Sequence, residues 1–227
     1  MFRHRVPTTT IDALTKADVP AATRTLAATF ADYPLIRALA PDNPRAAAAA
    51  FCGMLVRYTV AVGTAYATAD RSAVACWLPP VHESFSPRGL VRGGVIRLVG
   101  ELGVRGGLLL WRLSRQFDRA RRHHVPGPHW YLVMLGVAPA ARRRGLARAV
   151  LQPGLAAADR DGLPCYLETQ DEATGPFYAR LGFRVAGRNR MAGGLWNWEL
   201  VREPGAQGIG EAHPPWRVGF QPSSATR

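Results

Sequence analysis

Apolar and polar positions repeat with two different periods along this chain, and these periods predict helices and strands respectively. Apolar residues recur periodically after Asp18, through Leu26 and Phe30, and predict a first helix. An alanine-rich apolar stretch predicts a second helix over about 44–58, and a proline in the first turn supports each helix start. Two short apolar segments, 64–68 and 73–78, flank a polar turn and predict a β-hairpin. The first third of the chain therefore predicts two helices followed by a hairpin.

The second half of the chain alternates apolar strands with helices. A continuous apolar segment at 130–137 predicts a buried strand, and a helix follows it to about residue 159. The remaining predicted elements are a strand at 163–169, a short helix at 174–181, and strands at 183–186 and 195–201. This alternation predicts an α/β fold with one domain over residues 1–202, followed by a flexible tail over 203–227 in which proline and glycine recur.

Residues 81–128 differ in character from their neighbours and predict a helical segment that glycines interrupt near 103–107. Beyond that interruption, four apolar residues are separated by three, four and three positions. Four arginines have the same spacing, and each lies two positions after an apolar residue. The apolar set is Leu110, Leu113, Phe117 and Ala120, and the basic set is Arg112, Arg115, Arg119 and Arg122. Two positions correspond to ~200° around a helix, so the two sets lie on opposite faces. We interpret the basic face as solvated, with a contact to anionic lipid or nucleic acid as the alternative.

Composition and charge indicate a folded protein with anionic partners. The chain of 227 residues has 29 basic and 16 acidic side chains, a net charge of +13, and Lys16 as its only lysine. This balance favours anionic partners such as nucleotides. Because 48% of the residues are hydrophobic, the chain can bury a core, which excludes a wholly disordered protein.

Cysteine usage and the first residues bear on the compartment. Cys52, Cys76 and Cys165 are far apart and form neither a zinc-binding motif nor a disulfide pattern. The first residues lack the apolar stretch of a signal peptide. We therefore expect a cytoplasmic protein with reduced thiols.

A basic loop joins the strand at 130–137 to the helix that follows it. Its residues are Arg142, Arg143, Arg144, Gly145, Leu146 and Ala147. Helix N-termini present unpaired N–H groups and a partial positive charge, and glycine lets the backbone approach an anion closely. The loop therefore predicts a cradle for a phosphate or pyrophosphate, although it is neither a Walker A motif nor a G-x-G-x-x-G motif. Taken alone, a solvated loop at a helix start is the alternative.

Three blocks of the chain together resemble the GNAT family of acetyl-coenzyme A-dependent N-acetyltransferases, most closely its puromycin-acetylating branch. The blocks are 18–34, 136–154 and 167–183, and the last contains the Phe177-Tyr178-x-x-Leu181-Gly182-Phe183 motif. The resemblance spans about residues 10–200 and is weakest over 81–128. It implies a central mixed, mostly antiparallel sheet that is splayed between strands 130–137 and 163–169 and flanked by helices.

The resemblance also implies acetyl-coenzyme A as the cosubstrate and no metal. In the family, the phosphate loop binds the pyrophosphate, which corresponds here to residues 142–147. The backbone of Leu135, Gly136 and Val137 would hold the pantetheine and polarise the thioester carbonyl. Thr174 stands where the related enzyme has an asparagine, so a hydroxyl would replace that contact with the coenzyme.

For catalysis, the resemblance assigns Tyr178 as the acid that protonates the leaving thiolate, with a core residue beside Phe177 as the alternative. Glu168, at the end of a strand, is our candidate base, with a rim carboxylate paired to an arginine as the alternative. Tyr33 and Asp32 lie at the corner that faces the acceptor pocket in the resembling enzyme. An exposed loop tyrosine is the alternative for Tyr33.

The histidines near residue 125 and Cys165 have structural interpretations. His123 and His124 are adjacent and point apart on a helix, and with His129 they lack carboxylates at metal-binding spacing. Cys165 lies within a strand and is interpreted as a buried filler rather than a nucleophile. We therefore expect direct acetyl transfer to a primary amine of a small molecule by a monomer or homodimer. An acetyltransferase of protein or peptide amines, and a basic module for nucleic acid or membrane surfaces, are the alternatives.

Overall fold

The structure is a computed structural model that describes residues 9–62, 64–82 and 85–208. The helices are α1 (Val19–Phe30), α2 (Pro34–Leu39), α3 (Pro44–Ala61), α4 (Pro87–Gly93), α5 (Val95–His124), α6 (Leu146–Asp161) and α7 (Gly175–Ala179). The strands are β1 (Ile11–Ala13), β2 (Ala65–Thr68), β3 (Ala73–Leu78), β4 (Trp130–Val137), β5 (Cys165–Thr169), β6 (Arg184–Arg190) and β7 (Trp196–Arg202). Within the described ranges, no helix is both long and apolar enough to cross a membrane.

The seven strands form one mixed sheet in the order β1-β2-β3-β4-β5-β7-β6. Every neighbouring pair is antiparallel except β4 and β5, which are parallel. These two strands pair only where Trp130 faces Cys165 and Tyr131 faces Tyr166. Beyond those two pairs the strands diverge and leave a gap in the middle of the sheet. The fold confirms the predicted mixed, mostly antiparallel sheet that is splayed between these strands.

Helices cover both faces of the sheet and enclose two separate apolar cores. The first core joins α1, α2, α3 and α5 to one face, with Leu26, Ile36 and Leu113 fully buried. The second core joins α6 to the other face, where Trp77 packs directly against Gly154. A Cβ atom on Gly154 would lie 2.3 Å from Cε2 of Trp77, so this close approach requires glycine. The splayed strands are thus held between two rigid layers.

The segment between β3 and β4 folds as two helices rather than as one interrupted helix. Ser86 caps α4 by accepting a hydrogen bond from the Gly89 N–H at 3.1 Å, as predicted from the Ser-Pro start. Gly94, with φ of +99°, ends α4 in the left-handed region and begins α5. A second break lies at Gly103, with φ of +62° and ψ of −176°, where the sequence predicted the interruption. The helix continues past Gly103 to His124 because the later glycines keep helical geometry.

Several elements differ from the sequence prediction: the six-residue helix α2 was not predicted, and β6 extends to Arg190 instead of ending at residue 186. The short β1 was not predicted, because three residues are too few to show a period. The first residues of the predicted tail, 203–208, pack against the domain, where Asp159 accepts a hydrogen bond from the Gly205 N–H at 2.7 Å. Arg202 also donates to the Ala206 carbonyl at 2.9 Å. The rest of the predicted tail, 209–227, lies outside the described residues.

Candidate active site

A cavity of about 460 Å³ lies where β4 and β5 diverge. The splayed strands form one wall, and α1, α2, α3, α4 and α5 contribute the others. Most of the lining is apolar and aromatic. It includes Phe30, Leu35, Phe51, Met54, Phe85, Val95, Leu110, Phe117, Leu132 and Leu135. Such a volume suits a drug-sized molecule, for which ligand cavities measure roughly 300–1,000 Å³.

A network of hydroxyl groups closes the cavity at the end of β5. The Tyr33 hydroxyl lies 3.0 Å from Oγ1 of Thr169 and accepts the Gln170 N–H at 2.8 Å. Thr174 lies 3.2 Å from the same Thr169 oxygen and donates to the Asp171 carbonyl at 2.7 Å. Burial raises the pKa of Tyr33, so its phenol stays protonated. Tyr33 is therefore a fixed part of the cavity wall and not an exposed loop residue.

Glu168 is the carboxylate that lines the cavity beside this network. Its Oε1 accepts a hydrogen bond from the Tyr131 hydroxyl at 2.8 Å. Its Oε2 is buried and has no hydrogen-bond partner among the described residues. Burial raises the pKa of Glu168 to about 8, more than the hydrogen bond from Tyr131 lowers it. This environment differs from an exposed rim carboxylate paired with an arginine.

A buried arginine, Arg121, packs over the ring of Tyr131, whose hydroxyl contacts Glu168. The Arg121 guanidinium lies 5.5 Å from the centre of the Tyr131 ring and is only 2% exposed. Asp118 accepts from Arg121 at 2.7 Å, and the His129 ring nitrogen lies 3.4 Å from Arg121. The positive charge lowers the pKa of Glu168, although burial outweighs it.

Sequence reasoning missed Asp118, Arg121 and Tyr131, because they are distant from Glu168 along the chain. One signal was present, since Arg121 falls out of phase with the basic set of α5. The arginines of that set are exposed, at Arg112, Arg115, Arg119 and Arg122, whereas Arg121 is buried. A cation out of phase with a solvated stripe marks a position that faces the interior.

Tyr178 lies on α7 at the other side of the cavity. Its ring packs edge-on against Phe177 and Phe183, with ring centroids 5.1 and 5.7 Å apart, and its side chain also lines the cavity. Burial raises the pKa of Tyr178 well above that of a free phenol. Tyr178 therefore packs in the core and also lines the cavity, and its role as the catalytic acid stays a prediction.

The basic loop lies at the end of β4 and leads into α6. Its arginines are exposed, at Arg142, Arg143 and Arg144. Gly145 is the N-cap of α6 with φ of +76°, and no atom lies within 4 Å of the Cβ that another residue would place there. No side chain caps the first turn of α6, so its N–H groups remain open to an anion. Leu146 packs into the core, which leaves its backbone for this role.

The end of β4 carries the three residues predicted to hold a pantetheine. Leu135 lines the cavity, and the Val137 carbonyl accepts the Thr29 hydroxyl at 3.2 Å. A Cβ on Gly136 would lie 2.6 Å from Cδ2 of Leu26, so glycine here serves the packing of α1. Beyond Tyr131, the backbone N–H and C=O groups of β4 that face β5 form no hydrogen bonds with that strand. These groups are therefore free to bind the amides of a pantetheine arm.

Some predicted or discounted residues lie away from the cavity. Asp32 was expected in the acceptor pocket, but its side chain is 92% exposed and pairs with Arg37 at 3.5 Å. The turn after α1 directs Asp32 to solvent, so this expectation is not met. Ala147 and Arg148 lie on the first turn of α6. Within the described ranges, no group of three histidine, cysteine, aspartate or glutamate side chains is placed to hold a metal ion. Burial raises the pKa of Cys165 to about 12, as fits an inert thiol.

Comparisons with known proteins place these features in context. The model of the acetyltransferase (GNAT) family matches residues 94–183. An uncharacterized N-acetyltransferase of Schizosaccharomyces pombe is 26% identical over 122 residues, which cover 50% of this chain and 48% of that protein. The chain therefore aligns with about half the length of this curated relative.

Solved structures show the same fold. The histone acetyltransferase HPA2 and related acetyltransferase from Corynebacterium glutamicum has a TM-score of 0.64 and 24% identity, over 88% of this chain and 99% of that one. A mutant agmatine N-acetyltransferase has a TM-score of 0.60 and 19% identity, over 86% and 98%. The polyamine N-acetyltransferase of Drosophila melanogaster has a TM-score of 0.58 and 20% identity, over 86% and 99%. At these identities the similarity shows the fold.

Proposed function

We propose that this chain is an N-acetyltransferase of the GNAT family, and that it transfers the acetyl group of acetyl-coenzyme A directly to the primary amine of a small molecule with a large apolar body. One observation carries the proposal: the unpartnered Glu168 carboxylate oxygen is buried in an apolar cavity where the central strands diverge. A buried carboxylate oxygen without a partner fits an incoming N–H donor, because leaving it unpaired is unfavourable.

The loop and the splayed strands fit the cosubstrate. Exposed Arg142, Arg143 and Arg144 and the open N–H groups at Gly145 suit a pyrophosphate. The unpaired edge of β4 near Leu135 suits the amides of the pantetheine arm. When bound, the cosubstrate supplies a thioester carbonyl as the electrophile.

Glu168 acts as the base in this proposal. The acceptor amine must lose a proton to attack, and an α-amine has a pKa of ~7.7–8. With its pKa raised to about 8, Glu168 is matched to such an amine, and Oε2 is the atom that accepts the proton. A carboxyl with an ordinary pKa would be a much weaker base.

Tyr178 acts as the acid. The new C–N bond forms as the C–S bond breaks, and the phenol gives its proton to the departing thiolate. Burial keeps Tyr178 protonated, so it donates by position rather than by acidity. A covalent acetyl-enzyme is disfavoured because Cys52, Cys76 and Cys165 are buried and none lines the cavity.

The cavity favours an aromatic acceptor over a polycation. Asp118 lines the cavity but already pairs with Arg121, so among the described lining residues Glu168 is the carboxylate left for one ammonium group. Agmatine and polyamines, named for two neighbours in fold, carry a second cation that this lining does not match. The apolar lining and the resemblance at the sequence level both support puromycin or a related aminoacyl compound.

The test is thiol release from acetyl-coenzyme A with puromycin, aminoacyl amides, arylalkylamines, agmatine and a lysine peptide as acceptors. We expect turnover with aromatic primary amines and a large loss in kcat for Glu168→Gln and Tyr178→Phe. Tyr66→Phe, a half-buried tyrosine outside the cavity, is the matched control and should retain activity. Turnover with the peptide alone would refute the small-molecule assignment. Full activity of Tyr178→Phe would refute the acid.

A further inference from the structure

Helices α4 and α5 expose a set of large apolar side chains, which we call the α4–α5 face. Val91, Ile96, Val104, Leu108 and Trp111 have exposed fractions of 56, 74, 81, 56 and 57%. The last three follow one another at helical spacing and form a continuous stripe after the break at Gly103. Isolated exposed apolar residues are ordinary, whereas a continuous apolar stripe marks an interaction surface.

Exposed arginines lie along one flank of the α4–α5 face and continue its stripe toward the C-terminal end of α5. They are Arg88, Arg92, Arg97, Arg105, Arg112, Arg115, Arg119 and Arg122. The same two helices contain the acidic residues Glu101 and Asp118, and Asp118 is paired with Arg121. On α5, Arg105 and Arg112 lie about 80–100° from Val104 around the helix, at the flank of the apolar stripe. The face is therefore an apolar centre with a strongly positive rim along one flank and at its C-terminal end.

The mouth of the cavity lies at this face. Val99 and Trp111 line the cavity and are also 46 and 57% exposed. These two side chains come from opposite sides of the break at Gly103, so both parts of α5 meet at the mouth. A surface that binds to the α4–α5 face would consequently lie beside the entrance for the acceptor.

We propose that the α4–α5 face binds the surface of an anionic lipid membrane. An amphipathic helix with tryptophan and leucine at its apolar centre and arginine beside it fits the boundary between acyl chains and anionic headgroups. A second copy of this chain is a poorer occupant, because a symmetric contact would bring two positive rims together. The apolar centre also disfavours nucleic acid, whose phosphates would need charge there. This inference does not depend on acetyl transfer.

The test is cosedimentation of the full chain with vesicles of phosphatidylcholine alone and of equal parts phosphatidylcholine and phosphatidylglycerol. We expect binding to the anionic vesicles, which salt weakens. The double variant Val104→Ser with Leu108→Ser should bind about tenfold more weakly, since both side chains would leave the lipid. Replacing Arg105 and Arg112 by Gln should weaken binding about fivefold for each arginine.

A matched pair controls for net charge. Arg24→Gln with Arg160→Gln removes two exposed arginines from α1 and α6 and should leave binding nearly unchanged. Thermal unfolding of each variant checks that it folds, as expected for exposed side chains. An equal loss of binding in the control pair, or no binding of the unmodified chain to anionic vesicles, would overturn the proposal. A dimer of the free protein that Val104→Ser with Leu108→Ser dissociates would assign the face to a second copy instead.

Discussion

The Tyr131 hydroxyl opposes the effect of burial on the pKa of Glu168, and this makes Tyr131→Phe an informative perturbation. The hydroxyl donates to Oε1 at 2.8 Å and stabilises the ionised form of the carboxylate, so it lowers the pKa of Glu168. Removing the hydroxyl should therefore raise that pKa further. The substitution leaves the aromatic ring in place, and with it the contact to Arg121.

The size of the effect follows from the strength of the lost bond. A hydrogen bond to a charged group contributes ~1.5–3 kcal/mol, and one pKa unit corresponds to ~1.36 kcal/mol. The pKa of Glu168, now about 8, should rise by roughly one to two units. At neutral pH the ionised fraction, and with it kcat/KM, should fall about 10- to 100-fold.

The assay is the pH dependence of kcat/KM with an acceptor that turns over, because it reports groups of the free enzyme. The part of the pH profile in which kcat/KM increases with pH should move to higher pH in Tyr131→Phe, so the activity of this variant should recover as pH increases. Tyr166→Phe is the matched control: its hydroxyl is buried beside the Tyr131 ring but has no partner among the described residues. A loss in Tyr131→Phe that is equal at every pH would refute the assignment of Glu168 as the base.

Three further predictions concern stability and the basic loop. The pKa of Glu168 is raised in the folded state, so folding takes up a proton between the ordinary pKa and about 8, and stability falls as pH rises through that window. The melting temperature of Glu168→Gln should decline less over this range than that of the unmodified chain. Gly154→Ala should cost ~1–3 kcal/mol in chemical denaturation, because its Cβ would overlap Trp77; an unchanged unfolding midpoint would contradict the close packing. Gly145→Ala and Gly162→Ala place alanine at similar positive φ, +76° and +66°, and should each cost ~1–2 kcal/mol. Calorimetry should find weaker coenzyme binding in Gly145→Ala alone, and equal affinities would refute a role of the loop in binding.

The alternation of strands and helices was predictable because it depends on local periodicity. The splay of the sheet was predictable from the family resemblance, and the pairing of β4 with β5 at two positions confirms it. The surroundings of Glu168 were not predictable, since Arg121 and Tyr131 reach it only through tertiary packing. Asp32 was misplaced for a related reason: adjacency to Tyr33 in the chain does not fix which of two neighbours a turn directs inward.

In the proposed mechanism, the reacting groups and the wall that contacts the body of the acceptor come from different segments of the chain. Glu168, Tyr178 and the basic loop belong to the splayed strands and the helices that follow them, where the family resemblance is strong. The opposite wall comes mainly from α5, including Trp111 and Phe117, with Leu90 of α4 beside them. Substitutions on that wall should change KM while leaving the pH profile in place, because they contact the body of the acceptor and not its reacting amine. Under the proposed mechanism, substitutions in these two helices would change the acceptor without disturbing the proton transfers at Glu168 and Tyr178.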